Sequence, residues 1–127
     1  IVVSDLSKQL ELDVTFDFMS IKSYYGSESS GQVKIVKDLE YDITNKNVLI
    51  VEDIYDTGLT LKNLKKLLEA RNPKNIEIFC MFVKKEVAQD PIEINYSGFE
   101  IGPEFVVGYG LDYNGKYREL PYLGVLS

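Results

Sequence analysis

Three carboxylates and a pair of threonines follow an apolar run near the middle of the chain. The stretch NVLIVEDIYDTGLTLKNL, residues 47–64, places Glu52, Asp53 and Asp56 beside the turn Thr57-Gly58-Leu59-Thr60. Hydroxyl groups and free backbone N–H groups at the start of a helix bind a phosphate monoester, and a glycine lets the backbone approach it closely. Carboxylates accept hydrogen bonds from a ribose diol, or bind a metal ion that bridges the diol to another anionic group. We therefore predict a sugar-phosphate site in which the acids face the sugar and the turn faces the phosphate.

The elements that must position these residues form a β-loop-α-β unit. Residues 47–51 are a continuous apolar run, typical of a strand buried on both faces of a parallel sheet. Leucines at helical spacing predict a helix over about 58–70, and residues 76–83 predict the next strand. This order predicts a right-handed crossover, and it places the acidic loop at the carboxyl end of a strand, where α/β sheets bind ligands.

The rest of the chain predicts shorter elements around this unit. Residues 4–10 are expected to end a short helix, and residues 14–23 and 32–37 to form two strands. The Gly/Ser-rich loop between these strands is longer than a tight hairpin needs, so a functional lid and plain flexibility are both open. Residues 88–98 are expected to be irregular, and residues 122–126 to form a closing strand. The chain is therefore expected to be one α/β domain.

Composition excludes several classes of function. The chain has 127 residues, of which 45% are hydrophobic, enough for one domain with a core. It contains no histidine, so any general base must be a carboxylate, a lysine or a tyrosine. A net charge of -6 argues against a nucleic-acid partner. Without a bilayer-length apolar run or a signal-peptide pattern, we expect a cytoplasmic protein with no membrane partner, and we expect Cys80 to be a buried core thiol.

The acidic motif closely resembles the signature of the type I phosphoribosyltransferases. That signature has four apolar residues, two acids, two spacers and then Asp-Thr-Gly-x-Thr, here residues 48–60. An ordinary helix cap would need only one of these residues, not six in order. Further matches to the hypoxanthine-guanine branch are Ser23-Tyr24, Val83-Lys84-Lys85, the segment 105–114 and Arg118. The resemblance implies a twisted, mainly parallel sheet flanked by helices, with a long hairpin lid loop.

The resemblance also implies a reaction of purine salvage. Such enzymes use Mg²⁺ and transfer the ribosyl phosphate of phosphoribosyl pyrophosphate (PRPP) to hypoxanthine or guanine, giving IMP or GMP and pyrophosphate. Glu52 and Asp53 would hold the ribose hydroxyls, the turn from Asp56 to Thr60 would bind the 5-phosphate, and Asp56 would be the general base or acid at the purine N7. Relatives of this kind are homodimers or homotetramers.

The remaining roles follow the later matches. Lys84 would donate to the exocyclic oxygen of the purine, because an ammonium suits a carbonyl and not the amino group of adenine. Around the base and the pyrophosphate, the resemblance assigns stacking to Phe105, backbone hydrogen bonds to Val106, pyrophosphate contact to Arg118, lid closure to Ser23 and Tyr24, and magnesium to Glu52, Asp53 and Asp112.

Two departures from the family pattern affect the expected activity. The pyrophosphate-binding loop of the family should lie just before a stretch like residues 1–10, so we expect residues 1–127 to be an N-terminally incomplete catalytic domain. In addition, Leu59 stands where relatives often have a lysine, which would weaken phosphate binding while leaving the backbone donors in place.

Two alternatives belong to other classes. A response-regulator receiver domain shares the run 48–53, but its motif would lie near the domain start, and no aspartate closes residues 76–83. A phosphoribosyltransferase-like regulator would bind PRPP or nucleotide without turnover. Asp56 and Lys84 favour retained chemistry, and turnover is the observation that separates the two.

Overall fold

The computed structural model describes residues 1–23, 33–87 and 92–127. The described elements, in chain order, are α1 (Val2–Ser7), β1 (Ser20–Ser23), β2 (Val33–Lys37), β3 (Asn47–Tyr55), α2 (Leu59–Glu69), β4 (Asn75–Val83), a 3₁₀ turn (Lys85–Val87), β5 (Tyr96–Glu100), β6 (Val106–Val107) and β7 (Gly124–Val125).

A parallel sheet in the order β3-β4-β5 positions the acidic motif. β3 and β4 are in register from Asn47↔Asn75 to Tyr55↔Val83. One face of this sheet packs on α2, whose buried leucines recur at helical spacing, and each buried leucine contributes about 1.5–3 kcal/mol. The predicted α/β class, the parallel pairing and the helix are confirmed. The shared core contains Ile50, Ile78, Cys80, Leu61, Leu64 and Leu68.

The thiol of Cys80 lies in this core, as predicted. Its side chain is fully buried, and burial, followed by the charges of Glu52 and Asp53, raises its pKa to about 12. A thiol in that state is a poor nucleophile because the reactive thiolate is scarce. Cys80 therefore serves as a packing residue.

The prediction of a strand over residues 14–23 was wrong for its first half, because β1 begins only at Ser20. The Asp17 carboxylate accepts the N–H groups of Glu40 and Tyr41, both at 3.0 Å. These two N–H groups therefore bond to the Asp17 side chain, and they are not available to pair with the backbone of residues 14–19. The helix end predicted over residues 4–10 is that of α1, which ends within this range at Ser7. β1 and β2 form an antiparallel hairpin, and its connecting loop lies outside the described residues.

β3 is longer than predicted and less buried. It continues to Tyr55, so Glu52 and Asp53 lie in the strand, and the loop begins at Asp56. Leu49 is 39% exposed, so the expectation of burial on both faces was wrong.

Two further elements differ from the expected boundaries. β5 begins within the region 88–98 that was expected to be irregular, and all five of its residues are exposed, so no apolar pattern marks it. Gly98 of β5 is needed, because a Cβ there would lie 2.6 Å from the Met81 carbonyl oxygen. The closing strand is β7, which is shorter than predicted and pairs with β6 antiparallel. In the described ranges, no helix has the length and apolar character needed to cross a bilayer.

Candidate active site

The carboxyl ends of the three parallel strands meet at one edge of the sheet. The Lys84 N–H donates to the Tyr55 carbonyl at 2.9 Å, and the Ile101 N–H donates to the Val83 carbonyl at 2.9 Å. Each bond joins the residue that directly follows one strand to the last residue of the neighbouring strand, β4 to β3 and β5 to β4. Asp56 and Lys84 therefore start from adjacent positions at the edge where parallel sheets bind ligands.

The turn after β3 has the geometry of an anion site. Gly58 precedes the first helical residue of α2 with φ of 84°, and this N-cap residue makes no side-chain capping bond. A glycine tolerates this left-handed backbone, and the start of a helix is a place where an anion can bind. Asp56 and Thr57 are exposed beside it, whereas Gly58 is buried. The turn predicted to bind phosphate thus lies at the start of a helix.

Glu52 is a partly buried carboxyl next to the core. In the parallel register its partner is Cys80, which is fully buried. Burial, followed by the charge of Asp53, raises the pKa of Glu52 from 4.5 to about 7. Asp53 accepts the Ile54 N–H at 2.7 Å. The two acids predicted to act together therefore have different surroundings, and Glu52 stays protonated to a higher pH than an ordinary glutamate.

We expect replacement of Glu52 with glutamine to stabilise the protein at neutral and alkaline pH but not at acidic pH. The raised pKa means that the fold favours the neutral carboxyl, so the free energy of unfolding falls as pH rises from 4.5 to about 7 and stays low above that. Glutamine keeps the neutral shape and does not ionise. The measurement is Tm without divalent ions at about pH 4 and about pH 8, where the variant should match and then exceed the wild type.

The control for this prediction is Glu119→Gln, which changes an exposed glutamate of the same charge. It should leave the pH dependence of Tm as in the wild type. Equal differences between Glu52→Gln and the wild type at both pH values would contradict the raised pKa.

Lys84 has a largely buried side chain at the end of β4. The residue is 7% exposed, and in the described part of the chain its ammonium forms no hydrogen bond or ion pair. Its neighbour Lys85 differs, because its side chain is 68% exposed and paired with Glu100 at 3.0 Å. The Lys84 nitrogen is not one of the fully buried atoms of the described residues, so it remains within reach of a ligand. Lys84 is therefore well suited to a ligand that accepts a hydrogen bond.

The segment after β5 presents an aromatic face. Phe105 is 52% exposed, and its ring lies edge-on to Tyr113 with centroids 5.9 Å apart. Val106 is buried and pairs with Val125 of β7. The strand pairing of Val106 holds Phe105 at the surface, where a planar ligand can stack on it.

Asp112 and Arg118 are bound to each other. The Arg118 guanidinium lies 3.2 Å from the Asp112 carboxylate and also donates to the Gly110 carbonyl at 2.7 Å. The second Asp112 oxygen accepts the Gly115 N–H at 2.8 Å. No pattern in the sequence predicts this pairing.

The described residues contain no cluster of three or more candidate metal-binding side chains. The acids predicted to hold magnesium nevertheless fit it chemically, because Mg²⁺ takes hard oxygen ligands and is usually held by one or two carboxylates together with substrate oxygens. Of the two predicted lid residues, Ser23 ends β1 and Tyr24 lies outside the described residues.

Comparison with known proteins identifies relatives that match nearly the whole chain. The family described as Phosphoribosyl transferase domain matches residues 1–114. A hypoxanthine-guanine phosphoribosyltransferase of Staphylococcus aureus is 48% identical over 126 residues, which cover 98% of this chain and 70% of the relative. A crystal structure of a hypoxanthine phosphoribosyltransferase from the same species has a TM-score of 0.94 at 48% identity, covering 98% of this chain and 68% of that one.

A more distant solved structure contains a bound product. It is a variant of the hypoxanthine phosphoribosyltransferase of Trypanosoma cruzi, complexed with the product IMP. Its TM-score is 0.92 at 38% identity, covering 98% of this chain and 65% of that one. The fold around the site is thus shared between chains of quite different sequence.

Proposed function

This chain belongs to the phosphoribosyl transferase family, and we propose that it transfers ribosyl phosphate from PRPP to a 6-oxopurine in purine salvage. Hypoxanthine and guanine are the proposed bases, with IMP or GMP and pyrophosphate as products. The observation that carries the choice of base is the Lys84 side chain, which is largely buried beside the acidic turn while its ammonium nitrogen stays accessible and unpaired within the described part of the chain. It can only donate, so it selects a carbonyl oxygen over the amino group of adenine.

Separate groups bind the phosphate and the sugar of PRPP. The N–H groups at the start of α2 and the hydroxyls of Thr57 and Thr60 bind the 5-phosphate. Glu52 and Asp53 hold the ribose hydroxyls, and binding the diol favours the ionised form of Glu52 because a carboxylate is the better acceptor. Leu59 supplies only backbone to this turn, which is sufficient for the helix N–H donors.

Asp56 is the proposed general base. It follows β3 directly, and its backbone lies close to that of Lys84. A purine that bonds Lys84 through its exocyclic oxygen would therefore turn N7 toward the Asp56 carboxylate. Asp56 takes the N7 proton as N9 bonds to the ribose carbon, and the C–O bond to pyrophosphate breaks. Phe105 stacks on the base, and Val106 offers backbone groups to its edge.

The pyrophosphate side of the site completes the proposal. Arg118 contacts pyrophosphate, and Ser23 and Tyr24 close over the reaction to exclude water. Glu52, Asp53 and Asp112 would hold magnesium, which neutralises the charge of the departing pyrophosphate when bound. We also propose that the protein acts in the cytoplasm as a homodimer or homotetramer.

A product assay on the purified protein that contains this chain tests the function. It supplies magnesium, PRPP and one of six bases: hypoxanthine, guanine, xanthine, adenine, uracil or orotate. We expect nucleotide from 6-oxopurines alone. Binding of PRPP without nucleotide from any base would instead favour a regulator that has lost turnover.

A further inference from the structure

Tyr109 has a backbone conformation that a bulky residue rarely adopts. The φ angles of Gly108, Tyr109 and Gly110 are 98°, 50° and 96°. Gly108 and Leu111 exchange two backbone hydrogen bonds, of 2.9 and 3.0 Å, so Tyr109 and Gly110 are the central residues of a tight turn. Such turns favour asparagine or glycine at the first central position. A tyrosine there is unfavourable and persists only where its surroundings compensate.

A second turn in the same segment shows the usual solution. Tyr113 and Lys116 also exchange two backbone hydrogen bonds, and the residues between them are Asn114 and Gly115, with φ of 52° and 77°. This Asn-Gly pair suits the left-handed conformation. Turn geometry alone therefore does not account for a tyrosine at position 109, and its side chain must supply the reason.

The Tyr109 side chain joins two other parts of the fold. Its hydroxyl donates to the Asp5 carboxylate at 2.5 Å, linking the turn to α1 across 104 residues of sequence. Its ring lies edge-on to Phe82, with centroids 6.3 Å apart and an interplanar angle of 83°. Phe82 lies in β4, two residues before Lys84. Tyr109 thus contacts the strand that carries Lys84 and the helix that begins the described chain.

The backbone on both sides of Tyr109 is fixed as well. The Tyr109 N–H donates to the Leu120 carbonyl at 2.9 Å. A Cβ at Gly108 would lie 2.1 Å from the Tyr122 carbonyl oxygen, so only glycine fits there. The Gly110 carbonyl accepts from Arg118, which also pairs with Asp112. Movement of this turn therefore moves the residues before and after it.

We propose that Tyr109 is a positioning residue that sets the distance between Lys84 and the base-binding segment 105–112. The hydroxyl bond to Asp5 and the ring contact with Phe82 fix the position of the turn 108–111. The turn then fixes the position of the segment 105–112. Tyr109 itself touches neither the substrate nor the reacting atoms. The identity of the base rests on the proposed function, whereas the geometry of the contacts does not.

Replacement of Tyr109 with phenylalanine is expected to raise KM for hypoxanthine about 5- to 10-fold, because a charge-assisted hydrogen bond is lost while the ring contact stays. The values of kcat and of KM for PRPP should change by less than about twofold, since the side chain of Tyr109 bonds to Asp5 and packs on Phe82, both outside the turn 56–60. A purely structural role would lower Tm and the amount of active protein without separating the two KM values.

Matched variants identify the bond responsible. Tyr122→Phe removes a hydroxyl from a 60% exposed ring outside the segment 105–112 and should change neither KM. Asp5→Ala should reproduce the effect of Tyr109→Phe, and Asp5→Asn should recover most of the wild-type KM because its amide oxygen still accepts the bond. The double variant Tyr109→Phe with Asp5→Ala should be no worse than either single variant, since both remove one interaction.

The outcomes separate this inference from the proposed function. Nucleotide formation with an unchanged KM for hypoxanthine in Tyr109→Phe would overturn the positioning role and leave the function in place. Equal rises in KM for hypoxanthine and PRPP would also overturn it. A wild type that makes no nucleotide is examined by calorimetry with IMP: weaker IMP binding in Tyr109→Phe supports the positioning role, and unchanged or absent binding in the wild type and variant overturns it.

Discussion

Asp56→Asn is expected to lower kcat by about 10²–10⁴-fold, the range attributed to a positioned general base. The asparagine keeps the size of the side chain and its capacity to accept a hydrogen bond, but it cannot take the N7 proton. Asp56 is exposed at the end of β3, so its replacement should leave Tm close to that of the wild type. The measurement is steady-state nucleotide formation with hypoxanthine at saturating PRPP.

The KM for PRPP distinguishes loss of the general base from damage to the phosphate-binding turn. In the proposed site the N–H groups at the start of α2 hold the phosphate, and the substitution does not alter them, so KM for PRPP should change only modestly. Asp13→Asn is a matched control, because it makes the same change at an exposed position outside the motif. Near-normal kcat in Asp56→Asn would refute the assignment of the base, and a large rise in KM for PRPP alone would assign Asp56 to sugar-phosphate binding.

The local parts of the site were readable from sequence because one short motif contains both the residues and the elements that place them. The run 48–51 is apolar, the leucines after Gly58 keep helical spacing, and both patterns reflect burial in one core. β5 was missed for the opposite reason: its side chains are exposed, so its pairing with β4 depends on backbone bonds that leave no trace in residue type.

The distant parts of the site depend on contacts that sequence spacing does not encode. Alternation over residues 14–19 looks like a strand, but the carboxylate of Asp17 takes the donors instead. The Asp5–Tyr109 bond spans almost the whole chain, and no local pattern in the sequence predicts it. The raised pKa of Glu52 likewise arises from burial, which the motif does not show.

Lys84→Gln is expected to lower kcat/KM for hypoxanthine by about 10- to 100-fold, the loss expected for one charged hydrogen bond in a buried site. Discrimination against adenine should relax, because a glutamine amide can turn either its oxygen or its NH₂ group toward the base, whereas an ammonium can only donate. The buried position makes the effect larger than it would be in water, since little solvent competes for the bond.

The control for Lys84→Gln lies next to it in the sequence. Lys85→Gln removes the same charge from a side chain that is 68% exposed and paired with Glu100, so it should leave the ratio of kcat/KM for hypoxanthine to that for adenine unchanged. If Lys84→Gln left that ratio unchanged as well, the lysine would not contact the exocyclic oxygen. A ratio that falls only in Lys84→Gln would place the selection of 6-oxopurines on one largely buried lysine at the end of β4.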